Sequence, residues 1–283
     1  MEPTPDSPTV QSSEQIDAVN GDRQRRTLVA SVVALLVGAK LAVLLHEVAH
    51  WVTGAVLGHP SQLYSYAVEH TGTMTPADEA TAVLAGPVLS ILLGLLLTTW
   101  LPLRHTAGVW HLVWLWTGFA SLQEGVTYLV ITPVGAGDTA AAAEVLGWHP
   151  VIIIGLGVVG IAGMFWQARR FAVHMMRHCG HDRGLAWRFA FIPWIVGSAI
   201  LVVIQLIDLA IGPGSTSVAE NVIIVFASIS ITVFAPMGFI FWSRAKAERE
   251  PLVLPSWPIG PTVLLVVLLV TNIVLLLTGP TLG

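Results

Sequence analysis

The stretch AKLAVLLHEVAHWVTGAVLG, residues 39–58, decides what kind of protein this is. It places His46, Glu47 and His50 inside a run that is otherwise almost wholly apolar from Leu28 to Leu57. An ionised side chain at the centre of a bilayer costs roughly 2.5–3.5 kcal/mol on insertion scales, so a polar cluster there needs a compensating partner. A divalent metal supplies one. On a helix, residues four apart share a face, so both imidazoles reach one ion. Glu47, next to the first imidazole, is placed to touch a metal-bound water instead of the metal. This is the chemistry of the zinc-hydrolase pattern His-Glu-x-x-His. Ten His and ten Glu in 283 residues can produce such a spacing by chance. What gives it weight is the setting, since an idle cluster belongs in a polar loop.

Composition agrees. Hydrophobic residues make up 54% and charged residues 11%, against about 25% charged in globular domains. The mean hydropathy is +0.76. An all-α polytopic membrane protein embedded in a lipid bilayer is expected. The net charge of −4, with no basic patch, argues against a nucleic-acid partner. A lone cysteine, Cys179, excludes an intrachain disulfide.

Seven apolar segments approach the roughly 20 residues that a helical span needs. They run over Thr27–Leu57, Thr81–Leu101, Val109–Ile131, Val151–Gln167, Phe189–Ile211, Val222–Trp242 and Pro261–Leu277. Lys40, within the first, must snorkel or pair. Trp100, Trp110, Trp148, Trp166, Trp187, Trp242 and Trp257 stand near span ends, as an interfacial belt requires. About seven transmembrane helices are expected in one unit, with residues 1–26 a disordered cytoplasmic tail that lacks a signal-peptide core. Residues 27–147 form a three-span core carrying the motif, and 148–283 carry four further spans.

Charge sets the expected topology. Arg23, Arg25 and Arg26 precede the first span, and Arg104 follows the second. Five Arg between 169 and 188 follow the fourth, and Arg244, Lys246 and Arg249 follow the sixth. The loops 59–80, 132–150 and 212–221 hold no Lys or Arg. The positive-inside rule then gives a cytoplasmic N-terminus in a cell (plasma or inner) membrane. It also brings HEVAH, Ala85-Gly86-Pro87 and Asp138 to one face of the membrane, the outer one.

A catalytic zinc takes three protein ligands plus water. Asp138, after the Gly-Ala-Gly turn at 135–137, is the expected third; its plain alternative is a helix N-cap before Thr-Ala-Ala-Ala. Glu124, mid-span, is the other carboxylate in reach, or a proton relay. Glu144 and Asp208 lie near helix ends, where water is expected. His174, His178, Cys179 and His181 have metal-like spacing, but fall in an Arg-rich loop across the membrane from HEVAH and read as solvated polarity. His59 and His70 read as loop residues, or as the mouth of the site.

These residues together resemble the site-2 protease family of intramembrane zinc metalloproteases. The resemblance is carried by His46-Glu47-Val48-Ala49-His50 in an apolar helix, Ala85-Gly86-Pro87 opening the next span, and Asp138 after the third. It covers residues 30–145. Members usually show Leu-Asp-Gly where this chain has Gly-Asp-Thr at 137–139, and an Asn where Ser90 stands. No PDZ or CBS-like module is expected, and the family's site usually opens to the cytosol. The resemblance implies Zn2+ bound by His46, His50 and Asp138, with Glu47 as general base. It implies peptide-bond hydrolysis within or next to transmembrane segments of membrane-protein substrates, that is, regulated intramembrane proteolysis. Two other classes stand beside it: a zinc hydrolase of lipid or soluble peptides, and a non-proteolytic metal-binding or transport protein. Transporters usually carry ionisable residues on several spans, and the last three here hold only Asp208.

Overall fold

The computed structural model describes residues 13–101, 108–211, 218–246 and 256–283. A 44-residue helix, α1 (Ser13–Val56), leads into a hairpin of β1 (Ser61–Leu63) and β2 (Val68–His70). Next come α2 (Pro76–Leu95), extended by a π turn to Trp100, α3 (Val109–Ile131) and the short α4 (Asp138–Val145). Then follow α5 (Pro150–Cys179), α6 (Arg183–Ala186), α7 (Ile192–Ile211), α8 (Val218–Ser230), α9 (Phe234–Trp242), α10 (Ile259–Thr278) and β3 (Thr281–Leu282). β3 pairs antiparallel with β1, giving a sheet ordered β2-β1-β3. This is an all-α polytopic membrane protein with one small sheet that the sequence reading did not anticipate.

Six helices among the described residues are long and apolar enough to cross a membrane: 19–56, 76–100, 150–179, 183–211, 225–242 and 259–278. Six of the about seven expected spans are thus recovered as candidate crossings. The remaining expected span forms as α3 with the expected bounds, but is not apolar enough to join the six. The reason is its position. α3 packs against α1, α2 and α5 and buries His111, Thr117, Ser121 and Gln123 among them. A helix shielded from lipid has no need to be apolar throughout. At about 1.5 Å per residue it is still long enough to run the depth of the bundle.

Two further expectations change. Residues 13–26, taken as part of a disordered tail, continue α1 as helix, while residues 1–12 lie outside the described residues. Glu14, Gln15, Ala18 and the Arg residues are good helix formers, and extending an existing helix avoids the cost of a nucleus. α5 runs through Cys179, so Arg169, Arg170, Arg177 and the nearby histidines sit on a helix, not in a loop. The sixth expected span is recovered as one candidate crossing over 225–242, with a turn between α8 and α9 where Pro236 cannot donate to the carbonyl four residues back. Arg104, Arg249 and the loop 212–217 lie outside the described residues.

The core is shared along the chain. Leu35, Trp116, Phe119, Phe171, Phe189 and Phe234 are all fully buried in one cluster, so residues 148–283 pack around the motif-bearing helices. Lipid tails are as apolar as a Leu side chain, so close packing must hold such helices together. At Gly38 an added Cβ would lie 2.7 Å from the backbone of Trp116 and Thr117, which fixes how near α1 approaches α3. Outward, Val158, Val159, Val203, Val266, Val267 and Val270 remain exposed, as a lipid-facing surface requires. Trp100, Trp110, Trp166, Trp187 and Trp257 are exposed too.

Candidate metal centre

α1 delivers His46 and His50 one turn apart near its C-terminal end, both buried. The chain leaving α3 turns back through Gly135 and Gly137, whose φ of 75° and 76° are left-handed values that only glycine adopts cheaply. Gly137 is the N-cap of α4, so Asp138 is not the cap that its sequence context suggested. Its carboxylate instead reaches into the bundle. Oδ2 lies 3.0 Å from His46 Nε2 and 3.2 Å from His50 Nε2, and the two Nε2 atoms are 3.0 Å apart. Metal–ligand bonds of 2.0–2.1 Å at tetrahedral angles put donor atoms about 3.3 Å apart. The observed triangle is close to that, and it is the one group among the described residues with metal-binding geometry.

The far nitrogen of each ring fixes its tautomer. His50 Nδ1 lies 2.7 Å from the Ala82 carbonyl, which can only accept, so Nδ1 carries the proton. Ser90 Oγ donates to Glu124 Oε2 at 2.8 Å and therefore accepts from His46 Nδ1 at 3.2 Å. Both Nε2 atoms are thereby turned toward each other and toward the Asp138 carboxylate. This arrangement could hold a metal ion between the three atoms. Second partners of this kind orient metal-ligating histidines generally.

α2 closes over this centre because Gly86 has no side chain: an added Cβ would collide with Nε2 of both His46 and His50. That gives Ala85-Gly86-Pro87 its physical meaning. Thr75 caps α2 by accepting from the Asp78 amide at 3.2 Å, which fixes where the helix starts. Tyr128, which the sequence reading did not single out, stacks on His46 with centroids 5.1 Å apart and planes at 12°. Ser90 was noted only as a departure from a family pattern, and its bridging role was missed. A polar residue one turn past Gly-Pro in an apolar span was the available signal.

Glu47 is buried beside the triad and lies outside it. Glu124 stands behind His46, 3.7 Å from Nδ1, on the side away from the ligand atoms. Glu144 is exposed, as expected. Asp208, expected near water, is 2% exposed and bonded within the bundle. His59 meets Asp78 in the first turn of α2 at 3.7 Å, and His70 bonds Ser61 Oγ at 2.7 Å across the hairpin. Partial burial, then the neighbouring His50 and His59, lower the His70 pKa.

In the second histidine group His178 is buried and His174 half-buried, so neither is freely solvated. His111 joins His174 and His178, with ring centroids 6.2 Å and 5.6 Å away, while His181 stays exposed. Seventeen residues of α3, roughly 25 Å, separate His111 from Tyr128, so this group lies at the other end of the bundle.

Comparison of the chain with family models, curated proteins and solved structures finds no match. The chemistry open to this centre follows from its geometry: two imidazoles and a carboxylate, a donor set that could hold a divalent ion with one position left for water or substrate.

Proposed function

We propose that this chain is an intramembrane zinc metalloprotease of the site-2 protease kind, hydrolysing peptide bonds within or beside transmembrane segments of other membrane proteins. The observation that carries this is the convergence of the His46 and His50 Nε2 atoms and the Asp138 carboxylate, at near-tetrahedral separations, beside a buried glutamate. His46, His50 and Asp138 would hold Zn2+, which when bound lowers the pKa of its water toward about 7 and polarises a carbonyl. Glu47 has no ligand duty, so its carboxylate is available to take a proton from the attacking water and pass it to the leaving amide nitrogen. Gly86 keeps α2 tight on the imidazoles, and Tyr128 covers one ring, which together limit bulk water. The scissile segment must unwind, because a hydrogen-bonded helix hides its carbonyls. Charge distribution supports a cytoplasmic N-terminus in a cell membrane, with the centre toward the opposite face.

The test is Glu47→Gln, which keeps size and polarity but cannot accept the proton. A single-span substrate co-expressed with the native protein should be cut within its apolar segment. The variant should retain zinc and lose the roughly 10²–10⁴-fold that a general base supplies. Cleavage at the native rate by the variant would remove the protease reading. It would favour a metal-binding or transport role, toward which the buried Lys40–Asn272–Asp208 chain is the pertinent observation.

A further inference from the structure

Two histidines near the metal centre have no part in the chemistry proposed above. His46, His50 and Gly54 step along one face of α1 four residues at a time. Gly54 therefore stands one turn, about 6 Å, beyond His50. His70, at the end of β2, sits directly on it: a Cβ added at Gly54 would collide with the His70 ring and with Ser61 Oγ. Ser61 Oγ donates to the His59 carbonyl and meets His70 Nδ1, both at 2.7 Å. The hydroxyl has one proton to give, so Nδ1 is the donor there and Nε2 is the His70 nitrogen open to a metal. His70 lies within electrostatic reach of both His50 and His59. His59 Nε2 is 3.7 Å from Asp78 Oδ2, close to the spacing of two donors on one ion, and the Asp78 side chain is 30% exposed. A row of metal-binding groups thus leads from the open edge of α2, through His59 and His70, to His50. The charge of the segment suits the same ligand. Residues 59–80 carry Glu69, Asp78 and Glu79 and no Lys or Arg. A surface of one sign concentrates counter-ions and speeds their capture.

We propose that the β1–β2 hairpin is the loading route of the metal centre: His59 and Asp78 capture a divalent cation from water, and His70 hands it to His50. The proposal rests on the metal-binding part of the reading above and not on proteolysis. Among the described residues only His46, His50 and Asp138 group closely enough to hold an ion. The hairpin offers one or two donors at a time, which suits passage and not storage. Gly86 on α2 and Tyr128 on α3 pack directly against the imidazoles of the triad. An ion stripped of water is costly to bury without partners, so successive donors lower the barrier to entry.

The experiment strips the full-length protein of metal with a chelator and follows its uptake of Zn2+ alone, by rapid mixing with a fluorescent zinc indicator. His70→Asn keeps an N–H toward Ser61 Oγ and lacks Nε2, and His59→Asn removes the outer imidazole. Each should slow loading about tenfold or more, the low end of what a charged, focusing cleft adds to association. Release to excess chelator should slow by the same factor, because a route serves both directions alike. Affinity and stoichiometry should therefore stay at the native values, whereas loss of a ligand or of a structural support would weaken binding. Loading at the native rate in either variant would overturn the proposal. It would leave the triad as the metal site, entered past Asp138, whose side chain is 28% exposed. Weakened affinity with an unchanged loading rate would overturn it equally. Native protein that takes up no zinc would end the metal reading, and this proposal with it.

Discussion

The two ends of the bundle carry the same sequence device and put it to different use. At one end His46 and His50 stand four apart on α1 and a third group arrives from a neighbouring turn. At the other, His174 and His178 stand four apart on α5 and His111 arrives from α3. The difference lies in what surrounds the rings. In the first pair each Nδ1 is tied to a partner, which turns Nε2 inward, and a carboxylate completes the set. In the second, His178 lies flat on Phe189, centroids 4.8 Å apart, and His174 meets Phe119 edge-on. No carboxylate joins them in a metal-binding group among the described residues. Spacing alone does not make a metal site; the partners of the far nitrogen and one anionic donor do.

The largest expected effect follows directly. His46→Ala or Asp138→Ala removes one of three donors, and bound zinc should fall from about one per chain toward none, by the three-ligand rule. His174→Ala should leave zinc at about one per chain. Metal analysis of the purified proteins decides this. Full zinc occupancy in Asp138→Ala would end the equivalence drawn between geometry and ligation, and Glu124 would become the carboxylate to test next.

A smaller effect is expected one bond further out. Ser90→Ala breaks the bridge from His46 Nδ1 to Glu124 and frees the ring to turn, while leaving all three donors in place. Outer partners of metal-bound histidines are worth roughly 10–100-fold in metal affinity or activity. Competition with a chelator should reveal a loss in that range for Ser90→Ala. An affinity equal to the native one would mean that packing against Tyr128 alone holds the ring.

Much of this architecture is legible in the sequence because two strong rules act on it. Bilayer thickness sets helix length, which placed most spans to within a few residues. The cost of burying His46, Glu47 and His50 singled out the motif. Asp138 was reachable too, since Gly135 and Gly137 announce a chain reversal. What stayed hidden depends on partners distant in sequence. Ser90 and Tyr128 are unremarkable residues until α2 and α3 pack on α1. The β1–β3 pairing joins residues over 200 positions apart, and α3 fell short of lipid-grade hydropathy because its neighbours shield it. Lys40 was known to need a partner, but Asn272, which bridges it to Asp208, sits in a span of otherwise ordinary composition.

The smallest expected effect tests the silent end of the comparison. Among the described residues neither ring nitrogen of His178 has a hydrogen-bond partner, and the residue is 4% exposed. A buried polar group without a partner costs about 1–3 kcal/mol. Phe has a ring of comparable breadth and would keep the stack on Phe189 while shedding the two nitrogens. Its extra volume must be absorbed, and modest overpacking costs about 1–3 kcal/mol. The two terms nearly cancel, so His178→Phe should leave the thermal midpoint in detergent within a few degrees of the native value and leave zinc and cleavage untouched. A collapse of the fold, or loss of zinc, would show that His178 holds something. The two histidine groups would then be alike in function as well as in spacing.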